Sequence, residues 1–210
     1  MYIRDFTDDT PEEILDMKVT KAQAQANRAH IVETASTLFR ERGYDGVGIA
    51  DLMAVAGFTH GGFYKHFGSK ADLMAEAATC GFAQTAAKAD GVDSMEFVKH
   101  YLSREHRDTR GEGCTMAALC GDAARQPESI KMAFATGLES LLATLGKRLG
   151  APEEGDREGD MRAKRIDVIA QVIGAIVLSR ACPDDSPLAD EILDVCRAAV
   201  LSRLSAPLDA

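Results

Sequence analysis

Residues 57–70, GFTHGGFYKHFGSK, decide how the first third of this chain folds. They follow a short apolar helix predicted at 49–56, which ends at Gly57, a residue type that readily adopts the positive φ of a helix terminus. Thr59 offers a hydroxyl that can cap the next predicted helix, at 60–67. In that helix two phenylalanines lie four residues apart on one face, opposite a polar face. Two short helices joined by a three-residue turn predict a helix-turn-helix.

The polar face of the second helix carries residue types that read DNA. His60 and Lys65 can donate to guanine N7 and O6 in the major groove, and the Thr59 methyl can contact a thymine methyl. Gly61 and Gly62 each cost about 1 kcal/mol in helix propensity, so packing alone does not explain why both are present. They would let the backbone approach DNA closely, so all five residues are candidate DNA contacts.

Residues 21–73 resemble the DNA-binding domain of the TetR family of transcriptional repressors. The resemblance rests on IVETASTLFRERG at 31–43, then Tyr44, on DLMAVAGFT at 51–59, and on FYKHFGSKADL at 63–73. It implies that Tyr64, His66 and Lys70 contact phosphate groups, which position a protein without reading sequence. It also implies a double-stranded DNA operator and an unknown small-molecule effector as partners. The chain departs from the family at 46–48, where Gly-Val-Gly replaces the usual capping hydroxyl and leaves a weaker glycine cap.

Composition is that of a mostly helical globular protein. The 210 residues are 46% hydrophobic, with six prolines and no tryptophan. There is no run of eighteen apolar residues and no apolar signal region, so we expect a cytoplasmic protein without a membrane partner. Net charge is −9, but residues 18–72 carry seven basic and five acidic groups, net +2, whereas residues 1–17 carry −5. A positive segment at the helix-turn-helix favours nucleic-acid binding.

Apolar periodicity predicts an all-α protein of about nine helices. Besides the helices at 49–56 and 60–67, we expect a helix at 21–42 that ends at Gly43 and one from 69 to about 88 with Ser69 as its N-cap. Further helices are expected at 93–107, 114–125, 127–149, 161–181 and 186–204. An arm at 1–20 precedes a three-helix DNA-binding domain at 21–68 and a larger helical effector-binding and dimerisation domain at 69–210. A capping-box pattern predicts a short helix at 14–17; alternatively, Met17 is the natural start. The polar, glycine-rich segment 150–160 predicts a mobile loop.

The larger domain carries candidates for an effector pocket between the helices at 93–107 and 130–149. In the TetR family this domain usually holds a cavity for a small molecule. The candidate lining residues are Met95, Phe97, Tyr101, Met116, Cys120, Met132 and Phe134. Since no charged cluster accompanies them, the expected ligand is apolar or aromatic. Apolar residues at helical spacing are equally typical of core packing, so that alternative stays open.

The last two predicted helices carry apolar residues on more sides than one monomer can cover. The candidate interface residues are Val168, Ile169, Val172, Ile173, Ile176, Val177, Ile192 and Val200. A large exposed apolar patch is unusual on a monomer, so we predict a homodimer with a four-helix interface. Two recognition helices about 34–36 Å apart, or a multiple of that distance, would read a palindrome.

Five cysteines at irregular spacings, without a CxxC pair, predict buried thiols in a cytosolic protein, with no metal site and no cofactor. Cys114 supports an alternative function, that of a redox-sensing helix-turn-helix regulator, because we expect it at a helix N-terminus, where a thiol pKa is lowered. The sequence lacks GxSxG, phosphate-loop, HExxH and dinucleotide motifs, which argues against an enzyme.

Overall fold

The computed structural model describes residues 20–148 and 158–205. All of the predicted arm at 1–20 except Thr20 lies outside the described residues. So do its helix at 14–17, the alternative start at Met17 and most of the predicted loop at 150–160. Within those residues the chain forms nine α-helices and two short 3-10 helices, and no strand occurs there. The predicted all-α class is confirmed.

The helices follow one another with short connections. They are α1 Lys21–Arg42, α2 Ile49–Val55, the 3-10 helix His60–Lys65, α3 Lys70–Ala89, α4 Ser94–Tyr101, α5 Arg104–Asp108, the 3-10 helix Arg110–Glu112, α6 Thr115–Ala123, α7 Glu128–Arg148, α8 Glu158–Ala181 and α9 Pro187–Ser205. The 3-10 helix His60–Lys65 is called the recognition helix below.

Local chemistry sets several helix ends as expected. Gly43 ends α1 with φ +73°, and Gly57 follows α2 with φ +80°, a region that favours glycine. Ser69 caps α3, because its hydroxyl accepts a hydrogen bond from the Asp72 amide at 3.1 Å. Gly48 precedes α2 without a side-chain cap, as its missing hydroxyl requires.

Two predicted helices differ in the structure. The helix expected at 93–107 is broken at Leu102, because the Ser103 hydroxyl accepts a hydrogen bond from the His106 amide and starts α5 anew. The helix expected at 60–67 is a six-residue 3-10 helix, and Thr59 makes no side-chain capping bond to it. Two adjacent glycines near its start explain why the α-helix is not favoured there.

A single buried core runs through the described chain. In the N-terminal part Phe39, Phe63 and Leu73 are fully buried. Further along, α3 packs against both α1 and α7, and Phe82 of α3 meets Phe134 of α7 edge to face at 5.3 Å. The helix α3 therefore joins the helix-turn-helix to the remaining helices through both the backbone and packing. The domain limits at 21–68 and 69–210 stay predictions.

Candidate nucleic-acid interface and internal cavity

The recognition helix buries one face and exposes the other. Phe63 is fully buried and Phe67 nearly so, with ring centroids 5.4 Å apart. Tyr64 is 63% exposed, and its ring meets His60 edge to face at 6.0 Å. The solvent-facing candidates are Thr59, His60, Gly61, Tyr64 and Lys65. Most of the predicted polar face is therefore exposed to solvent.

The remaining three candidates are half-buried. Gly62 lies close to the preceding helix, since a Cβ there would be 3.6 Å from the Met53 methyl. His66 lies beside Phe67. The Lys70 ammonium donates to the Tyr44 carbonyl at 2.6 Å. Because an ammonium has three donors, Lys70 can hold the α1–α2 loop and still offer N–H groups to a phosphate.

An arginine fork supports the end of the recognition helix. The Arg28 guanidinium donates twice to the Glu76 carboxylate, both at 2.5 Å, and its Nε donates to the His66 carbonyl at 3.3 Å. The same group lies 4.7 Å from the Phe67 ring centroid. These contacts join α1, the recognition helix and α3. Sequence reasoning missed them, because residues 48 positions apart give no local signal.

The helix α6 joins the helix-turn-helix to the rest of the chain by its C-terminal end. The Asp122 carboxylate accepts a hydrogen bond from the Tyr44 amide at 3.1 Å. Tyr44 is the residue whose carbonyl accepts from Lys70. The α1–α2 loop is thus fixed from two sides, by α6 and by the first turn of α3.

An apolar cavity of about 80 Å³ lies between α3, α4, α7 and α8. Its wall consists of Thr85, Ala86, Ala89, Ser94, Phe97, Val98, Tyr101, Cys114, Leu141, Thr144, Leu145, Val168, Ile169, Val172, Ile173 and Leu204. Small side chains on α3 leave the space open on that side. Ala86 and Ala89, three residues apart on one face of α3, were the sequence signal that could have indicated it.

Two of the seven pocket candidates, Phe97 and Tyr101, line this cavity. Met132 is 62% exposed, so it does not line it. The cavity instead meets Leu141 of the same helix, nine residues on, which is half a turn away from Met132 around the axis. Phe134 packs on Phe82. Met95, Met116 and Cys120 are not part of the wall either.

The eight dimer candidates fall on different surfaces. Ile176 and Val200 are fully buried within the monomer. Val168, Ile169, Val172 and Ile173 line the cavity, and Ile192 is half-buried. Val177 is exposed, and the exposed large apolar side chains of α8 and α9 are together called the outer face below. These side chains are Ile166, Val177, Leu178, Leu188 and Val195. Sequence periodicity indicates that both helices are apolar, but it does not indicate which of their faces is exposed.

A buried histidine holds the N-terminus of α6 against α4. His106 Nδ1 donates to the Tyr101 carbonyl at 2.7 Å, and its Nε2 accepts from the Cys114 amide at 3.1 Å. Because a carbonyl only accepts and an amide only donates, these bonds fix the neutral tautomer. Burial lowers the pKa of His106 to about 4. Cys114 precedes α6, as predicted, but is only 3% exposed.

All five cysteines are free thiols. Burial raises the pKa of both Cys80 and Cys120. In the part of the chain that the structure describes, no group of His, Cys, Asp and Glu side chains could hold a metal ion. None of the described helices combines the length and apolar character needed to cross a bilayer.

Known proteins match the helix-turn-helix part of the chain. Residues 31–77 match the model of the bacterial regulatory proteins, tetR family. The transcriptional regulator TtgR of Pseudomonas putida is 44% identical over 55 residues, 26% of each chain. AcrR of Shigella flexneri is 39% identical over 57 residues, which are 27% of this chain and 26% of that protein. The chain therefore matches about a quarter of the length of these relatives.

Solved structures resemble the chain over most of its length. E. coli NemR in its reduced form has a TM-score of 0.69 at 18% identity, covering 88% of this chain and all of that one. A TetR-family regulator from Agrobacterium tumefaciens has a TM-score of 0.65 at 22% identity, covering 87% of this chain and all of that one. At this identity the likeness concerns the fold, and it includes the helices beyond the helix-turn-helix.

Proposed function

Because this chain carries the helix-turn-helix domain of the TetR family of transcriptional regulators, we propose that it is an effector-responsive repressor. In this proposal it acts in the cytoplasm, binds a palindromic DNA operator as a homodimer and is released by a small apolar or aromatic ligand. The observation that carries the proposal is the pairing of an exposed polar recognition helix with an apolar cavity in one continuous core.

The exposed face of the recognition helix supports DNA binding. Tyr64 and His60 are held edge to face next to a buried phenylalanine pair, so their side chains lose little conformational freedom when they contact DNA. His60 is assigned to a base edge, and Tyr64 to a phosphate.

The outer face supports the homodimer. Five of its large apolar side chains are between 38% and 61% exposed, and a surface of this kind usually marks an interaction site. A Cβ at Gly174, on α8, would meet no atom within 4 Å. There a second copy can approach the backbone of α8 closely.

Two routes support coupling between the cavity and the DNA-binding surface. Helix α3 carries Thr85, Ala86 and Ala89 of the cavity wall near one end and Lys70 at the other. Helix α6 follows Cys114 of the wall and reaches the α1–α2 loop through Asp122. A ligand that prefers a wider cavity would shift the population toward a tilted, DNA-incompetent arrangement.

A binding assay with duplex DNA from upstream of the gene tests the DNA assignment. We expect His60→Ala to change base preference by about 1–3 kcal/mol per site, and Tyr64→Phe to weaken binding to every sequence alike. His100→Ala, an exposed histidine on α4, is the matched control and should bind as wild type. Unchanged affinity and preference in His60→Ala would refute the base-reading role.

Asp122→Ala tests the route through α6. Removing the carboxylate frees the Tyr44 amide, so amide hydrogen exchange at Tyr44 should accelerate and DNA affinity should fall. Asp194→Ala removes an exposed carboxylate of α9 and should leave both unchanged. Equal exchange rates in Asp122→Ala and wild type would remove α6 from the coupling.

A further inference from the structure

We propose that the cavity selects a compact apolar molecule bearing one oxygen acceptor, a carbonyl or a carboxylate, which receives a hydrogen bond from the Tyr101 hydroxyl. Amines of the same shape are excluded. This inference rests on the effector function proposed above and adds the chemical class of the ligand.

The hydroxyl of Tyr101 donates to no oxygen or nitrogen atom of the described chain, and the Cys114 thiol beside it is a weak acceptor. Tyr101 lines the cavity and is 7% exposed, and its oxygen is buried with no hydrogen-bond partner among the described residues. The two threonine hydroxyls of the wall donate within their own helices, Thr85 to the Gly81 carbonyl and Thr144 to the Ser140 carbonyl, both at 2.9 Å. Since a buried unsatisfied polar group is costly, an acceptor supplied by a ligand is strongly favoured at this point.

The Tyr101 ring is held in place before any ligand arrives. Its centroid lies 4.5 Å from that of His106 and 5.7 Å from that of Phe97. Its backbone carbonyl accepts the His106 bond described above. A ligand therefore meets a rigid donor, which lowers the entropy lost on binding.

The charges near this end of the cavity favour an acceptor over a cation. Arg180 donates to the carbonyls of Arg107 at 2.8 Å and His106 at 2.9 Å, while its buried Nη1 has no partner in the described chain. No Asp or Glu lies on the cavity wall as the structure describes it. The positive field of a half-buried guanidinium is weakly screened, so it stabilises an oxygen acceptor and repels an ammonium.

The protonation state of Tyr101 agrees with the donor role. Burial raises its pKa well above the ordinary value of 10, the neighbouring Cys114 thiol raises it further, and Arg180 acts in the opposite direction. The phenol therefore keeps its proton at neutral pH. With about 80 Å³ available, compared with roughly 300–1,000 Å³ for typical ligand sites, the apolar body should be no larger than one ring unless the wall moves.

Four probes with one p-tolyl body test the assignment: 4-methylacetophenone, 4-methylbenzoate, 4-methylbenzylammonium and p-xylene. Their dissociation constants are measured by methyl NMR titration of the full-length protein, with the methyl groups of Leu141, Ile169 and Ile173 on the wall reporting the location. Wild type is compared with Tyr101→Phe, which removes only the hydroxyl. Tyr44→Phe is the matched control, because its hydroxyl is equally buried and unpartnered but lies in the N-terminal core.

We expect Tyr101→Phe to weaken the ketone and the carboxylate about tenfold, the size of one buried hydrogen bond, and to leave p-xylene unchanged. The ammonium probe should bind at least tenfold more weakly than the ketone, and Tyr44→Phe should match wild type. Equal affinity for all four probes, or an unchanged ketone affinity in Tyr101→Phe, overturns the inference but leaves an apolar effector site intact. Probes that shift no wall methyl overturn both this inference and the proposed effector site.

Discussion

A single charge on the outer face should separate the proposed dimer into monomers without unfolding either copy. Val195 is 61% exposed on α9, so Val195→Glu costs the monomer little, within about 0.5 kcal/mol. A charge at Ile176, which the sequence pattern also suggests, would not isolate the interface. Ile176 is fully buried in the monomer core, and a charge there would unfold the chain.

The expected loss is large because a two-fold axis applies the substitution twice. Burying a valine side chain contributes about 1.5–3 kcal/mol, so the exposed 61% of Val195 represents about 1–2 kcal/mol per copy. Taking each new carboxylate out of water costs several kcal/mol more. The dimer should therefore lose at least about 5 kcal/mol, which is more than a thousandfold in its dissociation constant.

Sedimentation equilibrium at micromolar concentration measures this loss. Met132→Glu is the matched control, because Met132 is 62% exposed and lies on α7, which carries none of the residues of the outer face. We expect Val195→Glu to sediment as a monomer with wild-type thermal stability and to lose operator binding, while Met132→Glu stays dimeric. A dimeric Val195→Glu protein, or a wild type that is itself monomeric, would refute the reasoning.

Three further predictions concern stability and are checked by chemical denaturation. Burial lowers the folded-state pKa of His106 to about 4, so only the unfolded chain gains a proton just below pH 6.5. The free energy of unfolding should therefore fall by about 3 kcal/mol between pH 6.5 and 4, and it should fall less in His106→Asn. Gly81→Ala should destabilise, since its Cβ would lie 2.2 Å from the Thr115 hydroxyl, whereas Gly121→Ala, with no atom within 4 Å, should stabilise by about 0.5–1 kcal/mol. Lys70→Met should cost about 1–3 kcal/mol, because a buried backbone carbonyl loses its charged donor, and a wild-type denaturation midpoint would argue against that bond.

The sequence predicts well what nearest neighbours decide. Gly43 and Gly57 adopt positive φ, and Ser69 caps α3, because these effects depend on a few adjacent residues. The break at Leu102 also has a local cause, a serine that caps the next helix. It was missed because apolar periodicity at 93–107 continues across the break. Where periodicity and capping disagree, the cap decides the boundary here.

The faces that helices present to one another were beyond local prediction. Periodicity shows that α7 and α8 are apolar on several sides, but which side meets the cavity depends on how distant helices are packed. Val172 and Ile173 illustrate this, since periodicity makes both of them candidates for a dimer interface and both line the cavity. Leu141 was not singled out, although it lies on the wall. Predicting which face of a helix lines the cavity requires knowledge of contacts between residues that are distant in the sequence.

In the proposed coupling between the cavity and the DNA-binding surface, the nine-residue helix α6 acts as a rigid link. It is about 14 Å long at 1.5 Å per residue, too short to bend appreciably. Its first end follows Cys114 on the cavity wall, and its last turn holds the Tyr44 amide through Asp122. The turn before it is bonded to α1, because buried Arg40 donates to the Gly111 carbonyl at 2.7 Å.

A ligand larger than the present cavity must displace part of the cavity wall. In this proposal the rigid helix passes such a displacement to the α1–α2 loop, which Lys70 in the first turn of α3 also holds. Coupling of 1–3 kcal/mol, the usual range for allosteric proteins, requires no more than the weakening of one or two of these hydrogen bonds.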